Sequence, residues 1–245
     1  MKIITFLSDF GARDWFVAAV KGEILKLAPD VQIVDITHDI PPYDIKGAAI
    51  VLSAVFSNFP AGTIHLAVVD PGVGSERRPL IIESQGHFFV GPDNGLLSYV
   101  CDSRAKAYEI VTGPAPSSTF HAHDIFGPTA ARLATGTPVS AIARPTPEFT
   151  RIARPEAREK NGVLHAEIVY IDRFGNCITS IPVHNTVKSI SVGDRTIPVR
   201  KIYSEGKPGE LIVVKGSSGY YEIACYQGNA RELLKGASGM AVQAS

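Results

Sequence analysis

Cysteine is scarce in this chain, its charges cancel, and long apolar runs are missing. The three cysteines, Cys101, Cys177 and Cys225, are scattered and odd in number, with no CxxC spacing. That pattern argues against a disulfide framework and against a zinc knuckle. Lys plus Arg and Asp plus Glu both total 24, so the formal net charge is zero. A neutral chain gives no electrostatic case for nucleic acid or for an anionic membrane. No segment approaches the ~20 apolar residues of a membrane-spanning helix. The apolar run over 1–7 stops at Ser8-Asp9 and lacks signal-peptide architecture, so the expectation is a cytoplasmic protein. No internal repeat or low-complexity tract is visible.

What the chain does have is 45% apolar and 20% charged residues over 245 positions. That is enough for one large domain or two small ones with a sizeable core. The first part alternates strand-like and helix-like segments. Strands are expected at 3–7, 31–36 and 63–69, and a hairpin at 80–83 and 87–91. A further strand is expected at 108–111. Phe16, Val20, Ile24 and Leu27 recur at helical spacing, and 44–56 and 125–133 also read as helices. This alternation predicts an α/β domain, Rossmann-like, with a mostly parallel sheet covered by helices. Residues 143–160 carry Pro145, Pro147 and Pro155 amid charges and read as a connector. Beyond Gly162, short strand-like runs at 163–171, 176–181, 187–192, 196–199, 210–214 and 220–224 predict a smaller all-β, barrel-like domain. The expected division is 1–150, a linker over 151–161, and 162–245.

Ligands of open α/β sheets bind beyond the carboxyl ends of the strands. Asp9 follows the first strand and fits either a ribose diol or a local turn. Asp14 fits a helix N-cap. In the loop from Asp70 to Arg77, Gly72 and Gly74 permit close backbone approach, while Arg77 and Arg78 stand beside a carboxylate. That loop suits a phosphate, although the Walker pattern is absent, or a surface turn with an ion pair. His121 and His123 lie two apart next to Asp124. They suit a metal half-site, or one catalytic imidazole and one surface residue, with Asp124 as a helix cap. His38-Asp39 is the one further group considered for such a metal. His65, His87, His165 and His184 read as structural. Asn176 offers the paired donor and acceptor that an adenine edge needs, or is a turn residue. Ser217-Ser218-Gly219 reads as a hairpin turn or a carboxylate-binding nest.

Taken in order along the chain, several segments resemble the S-adenosylmethionine hydroxide adenosyltransferase family, which is related to the enzymes that make fluorinated and chlorinated adenosine. They are Ser8-Asp9-Phe10-Gly11, Asp14 with Lys21-Gly22, Asp35-Ile36-Thr37-His38, Pro42-Tyr43-Asp44, Asp70-Pro71-Gly72-Val73-Gly74, Pro92-Asp93-Asn94-Gly95, Phe120-His121, Asp172-Arg173-Phe174-Gly175-Asn176, and Glu222-Ile223-Ala224 with Gly228-Asn229-Ala230. The resemblance implies hydrolysis of S-adenosyl-L-methionine to adenosine and L-methionine, with Asp70, Arg77 and His121 activating water. It implies that Asp9 holds the ribose hydroxyls, Asp14 meets the methionine amino group, and Tyr43 lines the pocket. Phe120 belongs to the same substrate set. Phe174 and Asn176 would contact adenine, and Ser217 and Ser218 the methionine carboxylate. It implies no cofactor and no metal, and a homotrimer whose sites lie between subunits. The family usually has Arg at the position of His123 and Gly at that of Ala122, which leaves room for a metal behind His121. Two rivals stand beside the hydrolase: a halide-using adenosyltransferase, and a non-catalytic sensor of adenosine or S-adenosylmethionine.

Overall fold

Side chains along β1 (Ile3–Ser8) alternate between two buried faces, with Ile4 and Phe6 on one and Leu7 on the other. This double burial sets the first half of the molecule in the computed structural model, which describes residues 2–113 and 117–245. Contacts divide the chain into two units, Met1–Ala153 and Arg154–Ser245.

The first unit is α/β. Its seven strands are β1, β2 (Gln32–Thr37), β3 (Ile64–Val68), β4 (Pro79–Ser84), β5 (His87–Pro92), β6 (Lys106–Ile110) and β7 (Ala143–Thr146). They lie in the order β2-β1-β3-β5-β4-β6-β7. The pairs from β2 through β1 and β3 to β5 are parallel, and the remaining three are antiparallel. Only β4 and β7 therefore run against the common direction. Helices α1 (Phe16–Leu27) and α3 (Gly127–Ala134) cover the face that carries Ile4, Phe6, Ile64, Leu66 and Val68. Helix α2 (Ile45–Val55) and the short turn Leu96–Val100 cover the face with Leu7, Ala67, Val69 and Phe89. Covering both faces is what makes the central strands mostly apolar, with Thr5, Ser8 and His65 as buried exceptions.

The helices show what their residues require. In α1, Val20 and Ile24 are fully buried, each contributing about 1.5–3 kcal/mol of transfer free energy. Leu27, at the same spacing, faces outward. Asp14 does not cap α1: the helix begins after Trp15, whose backbone is already helical, with no side-chain cap. Asp44 does cap α2, accepting the Gly47 N–H at 2.9 Å.

The second unit is all-β. It contains β8 (Arg158–Lys160), β9 (Val163–Ile171), β10 (Cys177–Pro182), β11 (Ser189–Val192), β12 (Arg195–Pro198), β13 (Leu211–Lys215), β14 (Tyr220–Cys225) and β15 (Ala241–Ala244), with a short helix α4 (Ala230–Leu234). Antiparallel ladders run β12-β11-β15-β9-β10-β14-β13, and β8 pairs with β9. A bridge between Val199 and Val213 joins the two ends of this path and nearly closes it into a barrel.

Two strands lie where prolines and charges suggest a connector. β7 contains Pro145 and β8 is three exposed residues. Both are edge strands, where a missing N–H or a polar side chain costs little. Composition alone does not separate such strands from loop.

His65 and His87 form a buried polar thread. Thr5 Oγ1 lies 2.7 Å from His65 Nδ1, and His65 Nε2 lies 3.2 Å from His87 Nδ1. The His65 ring stacks on Phe89. Burial, then the neighbouring His87, lowers His65 to about 3, and burial lowers His87 as well. Below about pH 6.5 an unfolded histidine takes up a proton that these two refuse. Their contribution is therefore complete above pH 6.5 and declines as pH falls toward 3, by up to about 1.4 kcal/mol per pH unit for His65. The thermal midpoint of the wild type should drop more between pH 7 and pH 5 than that of His65→Gln. Equal drops would show that His65 does not carry the acid sensitivity.

Candidate active site

The parallel strands β1 and β3 end side by side, and the loops that follow them carry Asp9 and Asp70. Between these loops lies a cleft of about 380 Å³, lined by Asp9, Phe10, Phe16, Tyr43, Asp70, Phe120 and His121 among others. A larger hollow of about 620 Å³ includes His123 and Asp124 but none of Asp9, Asp70 and His121. The smaller cleft is therefore the one that gathers these three candidate side chains.

The loop after β3 turns back on itself. Ser75 N–H donates to Gly72 O at 3.1 Å, and the Ser75 hydroxyl donates to the same oxygen at 2.7 Å. Gly74 has φ +78°, and a Cβ there would sit 2.3 Å from Ser118 O. Only glycine meets both demands. The turn brings Arg77 onto Asp70. Arg77 Nε lies 3.0 Å from both Asp70 oxygens, and Nη2 lies 2.5 Å from Oδ2. The same Nη2 reaches His121 Nδ1 at 2.6 Å. The Asp70 and Arg77 side chains are only 6% and 9% exposed, so this is not a surface ion pair. The Arg77 guanidinium also lies over the Phe126 ring, 5.2 Å from its centre. Among the described residues, Arg77 Nη1 is buried without a hydrogen-bond partner.

Arginine only donates. His121 Nδ1 must therefore accept, which puts the ring hydrogen on Nε2. Burial, then the Arg77 charge, holds His121 below the ordinary imidazole range, against the opposing pull of Asp70 and Asp124. His121 is held neutral, with an N–H rather than a lone pair at its free nitrogen.

Arg78, adjacent in sequence, does something else. It forks onto Asp93, bonds Thr146 Oγ1 at 2.9 Å and donates to Glu148 O at 2.8 Å. It pins the strand ends of the sheet and takes no part in the cleft.

Asp9 Oδ2 accepts the Tyr43 N–H at 3.0 Å. Tyr43 has φ +69°, a left-handed backbone that costs a non-glycine residue about 1–3 kcal/mol. Tyr43 is 72% exposed at the cleft wall. Phe120 meets both Phe10 and Phe16 edge to face, and Phe10 lies tilted against Phe16. Sequence reasoning assigned Phe10 and Phe16 no site role, although both flank the Asp9 segment. Asp14 is exposed and is not among the residues lining this cleft.

His121 and His123 diverge. His121 precedes a π-helical turn, Ala122–Phe126, that leads into α3. His123 stacks on Phe120 with its ring centre 5.6 Å away, and its Nδ1 lies 2.7 Å from Asp124 Oδ1. Asp124 is not a helix cap. It lies inside the π turn, and its Oδ2 accepts the Ser117 N–H at 2.9 Å. Among the described residues no group of three or more His, Cys, Asp or Glu side chains is placed to hold a metal.

In the second unit, Phe174 and Asn176 lie in the turn between β9 and β10, and Phe174 is 75% exposed. Asp172 organises this turn. Its Oδ1 accepts the N–H groups of Phe174 and Asn176, and its Oδ2 accepts from Asn176 Nδ2, each at 2.9 Å. That fixes the Asn176 amide, with Oδ1 left as acceptor. An Asp two and four residues before Phe174 and Asn176 is the sequence signal for this Asx-type turn. Ser217 and Ser218 form the β13–β14 turn, beside Val183 at the far end of β10. The two turns are therefore separated by the length of β10.

Comparisons with known proteins follow the same lines. The family model for the SAM hydroxide adenosyltransferase N-terminal domain matches residues 4–143, and that for the C-terminal domain matches 166–243. An (R)-S-adenosyl-L-methionine hydrolase from Thermus thermophilus is 37% identical, over 99% of each chain. A protein of the same name from Salinispora arenicola is 36% identical, over 94% of this chain and 93% of its own. A fluorinase from Actinoplanes is more distant at 28%, over 91% and 90%. A crystal structure of an uncharacterized conserved protein from Thermotoga maritima superposes with a TM-score of 0.89 at 30% identity, covering 98% of this chain and 99% of that one. With both of its units matched in order, the chain belongs to the SAM hydroxide adenosyltransferase family.

Proposed function

We propose that this protein hydrolyses S-adenosyl-L-methionine to adenosine and L-methionine, and that the buried Asp70–Arg77–His121 constellation on the cleft is what does it. The relatives' name specifies (R)-S-adenosyl-L-methionine. L already fixes the α-carbon, so the further descriptor belongs to the sulfonium, and the same epimer is the substrate proposed here.

Water attacks ribose C5′. The C5′–O bond forms as the C5′–S bond breaks, and the sulfonium leaves as the neutral thioether of methionine. The leaving group needs no acid. The nucleophile needs somewhere to send a proton. His121 is a poor acceptor, because Arg77 occupies Nδ1 and Nε2 already carries hydrogen. Asp70 is the acceptor. Oxygen that has begun to bond C5′ is strongly acidic, so a carboxylate suffices. Arg77 holds both oxygens of Asp70, so the acceptor is fixed in place before the proton arrives. His121 Nε2–H orients the water, and holding it in line with C5′–S removes an entropic barrier. Atoms and charge balance without a cofactor.

Asp9 accepts from the ribose hydroxyls, with Tyr43 and Phe120 walling the nucleoside; the assignment of Asp14, which stands outside the cleft's lining, to the methionine amino group rests on the family resemblance alone. Phe174 and Asn176 take adenine, and Ser217 and Ser218 the carboxylate. Their placement at opposite ends of β10 suits the two ends of an extended substrate. Following the family resemblance, the working unit is a homotrimer in which these four residues serve a neighbour's Asp70. The Asp70 carboxylate disfavours a halide nucleophile, because an anion would be repelled from it. In chloride buffer the products should remain adenosine and methionine.

Asp70→Asn should lower kcat by about 10²–10⁴-fold while adenosine affinity stays within a few-fold, read by product chromatography and calorimetry. Wild-type turnover would remove Asp70 from the mechanism. The acid limb of the kcat profile should have its midpoint below pH 6.5, because burial and the Arg77 charge hold His121 below the ordinary imidazole range. A half-maximal rate at pH 6.5 or above would show that His121 is not held neutral below the ordinary imidazole range in the working site. Mixing and reassembling inactive Asp70→Asn with inactive Asn176→Ala subunits should restore activity, since some sites then combine two intact halves. No recovery after verified subunit exchange would assign both residues to the same chain's site.

A further inference from the structure

Beneath the Asp9 loop runs a line of polar side chains that the reaction above does not use. Lys21 Nζ donates to Asp35 Oδ2 at 2.5 Å. Asp35 Oδ1 lies 3.1 Å from His38 Nε2. His38 Nδ1 lies 2.7 Å from Ser8 Oγ, and Ser8 Oγ accepts the Phe10 N–H at 3.4 Å. The His38 carbonyl accepts the Gly11 N–H at 2.8 Å. The His38 ring stands edge-on to Phe6.

Asp, His and Ser in this order have the outline of a nucleophilic triad. Ser8 cannot serve as one. It has no exposed surface, and a nucleophile must meet its electrophile. The hydrogens settle what the line does instead. Nε2 faces a carboxylate and so carries the ring hydrogen, although the contact is too poorly aligned to count as a hydrogen bond. Nδ1 then accepts from the Ser8 hydroxyl, and the freed lone pairs of Ser8 Oγ receive Phe10 N–H. His38 thus grips the 8–11 loop twice, through Ser8 and through Gly11. Between those two grips lies Asp9, whose Oδ2 also holds the left-handed Tyr43 backbone.

We propose that Asp35, His38 and Ser8, with Lys21 at the outer end, form a positioning relay that aims the Asp9 carboxylate at the ribose hydroxyls. His38 is the positioning residue and Asp9 the group that touches substrate. The proposal rests on Asp9 being the ribose ligand, as in the function proposed above.

The test compares calorimetric binding of adenosine and of 2′,3′-dideoxyadenosine, which lacks the hydroxyls Asp9 would hold. Asp9→Asn is the reference and should weaken adenosine alone. Asn places its amide where the imidazole has Nδ1, and Gln where it has Nε2. His38→Asn therefore keeps the link to Ser8, and His38→Gln loses it. His38→Gln and Ser8→Ala should weaken adenosine about tenfold, the worth of one charge-assisted hydrogen bond. Dideoxyadenosine affinity should stay unchanged, and KM should rise more than kcat falls. His38→Asn should recover most of the loss. Asp35→Asn, at a half-exposed position that folding tolerates, should show a smaller loss with the same ligand selectivity. Equal losses for both nucleosides, or none, would overturn the relay. Abolished turnover in Ser8→Ala with adenosine binding intact would overturn it in favour of a reacting serine. If Asp9→Asn itself fails to distinguish the two nucleosides, the assignment of Asp9 fails, and the relay falls with that assignment rather than on its own geometry.

Discussion

One guanidinium organises the cleft. Arg77 uses a single edge, Nε and Nη2, for both oxygens of Asp70 and for His121. Burying such a pair costs several kcal/mol of desolvation per ion, and an apolar replacement of similar volume is often no less stable. Stability is thus a weak reason for its presence. Its effect is to fix three states at once. Asp70 is held in place, His121 is confined to one tautomer, and Nη1 is left, among the described residues, as a buried donor without a partner. Everything proposed about water activation depends on that arrangement. The glycine turn lies between Asp70 and Arg77: Gly74, left-handed and packed against Ser118 O, sits in the loop that brings the two together.

Support for this centre extends outward in two directions. On one side, Arg78 and Asp93 tie the end of β4 to the segment after β7. On the other, Asp124 holds Ser117, next to the Ser118 that abuts Gly74. Neighbouring residues with the same charge or ring type therefore do different work. Arg77 and Arg78 part company, as do His121 and His123, because alternate side chains on a turn point to different surroundings.

Much of the fold was legible in the sequence. β1, β3, β5, β9 and β14 are dense apolar runs bounded by turn residues, and α1 and α2 carry a buried stripe. The short β15, the helix α4 and the edge strands β7 and β8 were not legible, since their pairing is set by distant partners and not by local pattern. The site divided in the same way. Asp9 and Asp70 stand at strand ends, where a position rule finds them. The contact between Arg77 and His121 spans 44 residues, and only resemblance brought those residues together. Asp14 illustrates the opposite failure: a good capping residue type, one position too early for the helix that formed. The left-handed backbone of Tyr43 carries no sequence mark, because the residue type gives no warning of it.

The π turn over Ala122–Phe126 bears on how this protein can vary. Such a turn amounts to one residue inserted into an α-helix. At 3.6 residues per turn, deleting that residue would rotate everything before it by about 100° around the axis of α3. His121 sits at the start of the turn, so the deletion would swing its imidazole away from Arg77 while leaving α3 itself intact. The segment can exchange side chains, but its length is locked. Insertions and deletions should be absent between His121 and Gly127, even in chains that have drifted far apart elsewhere.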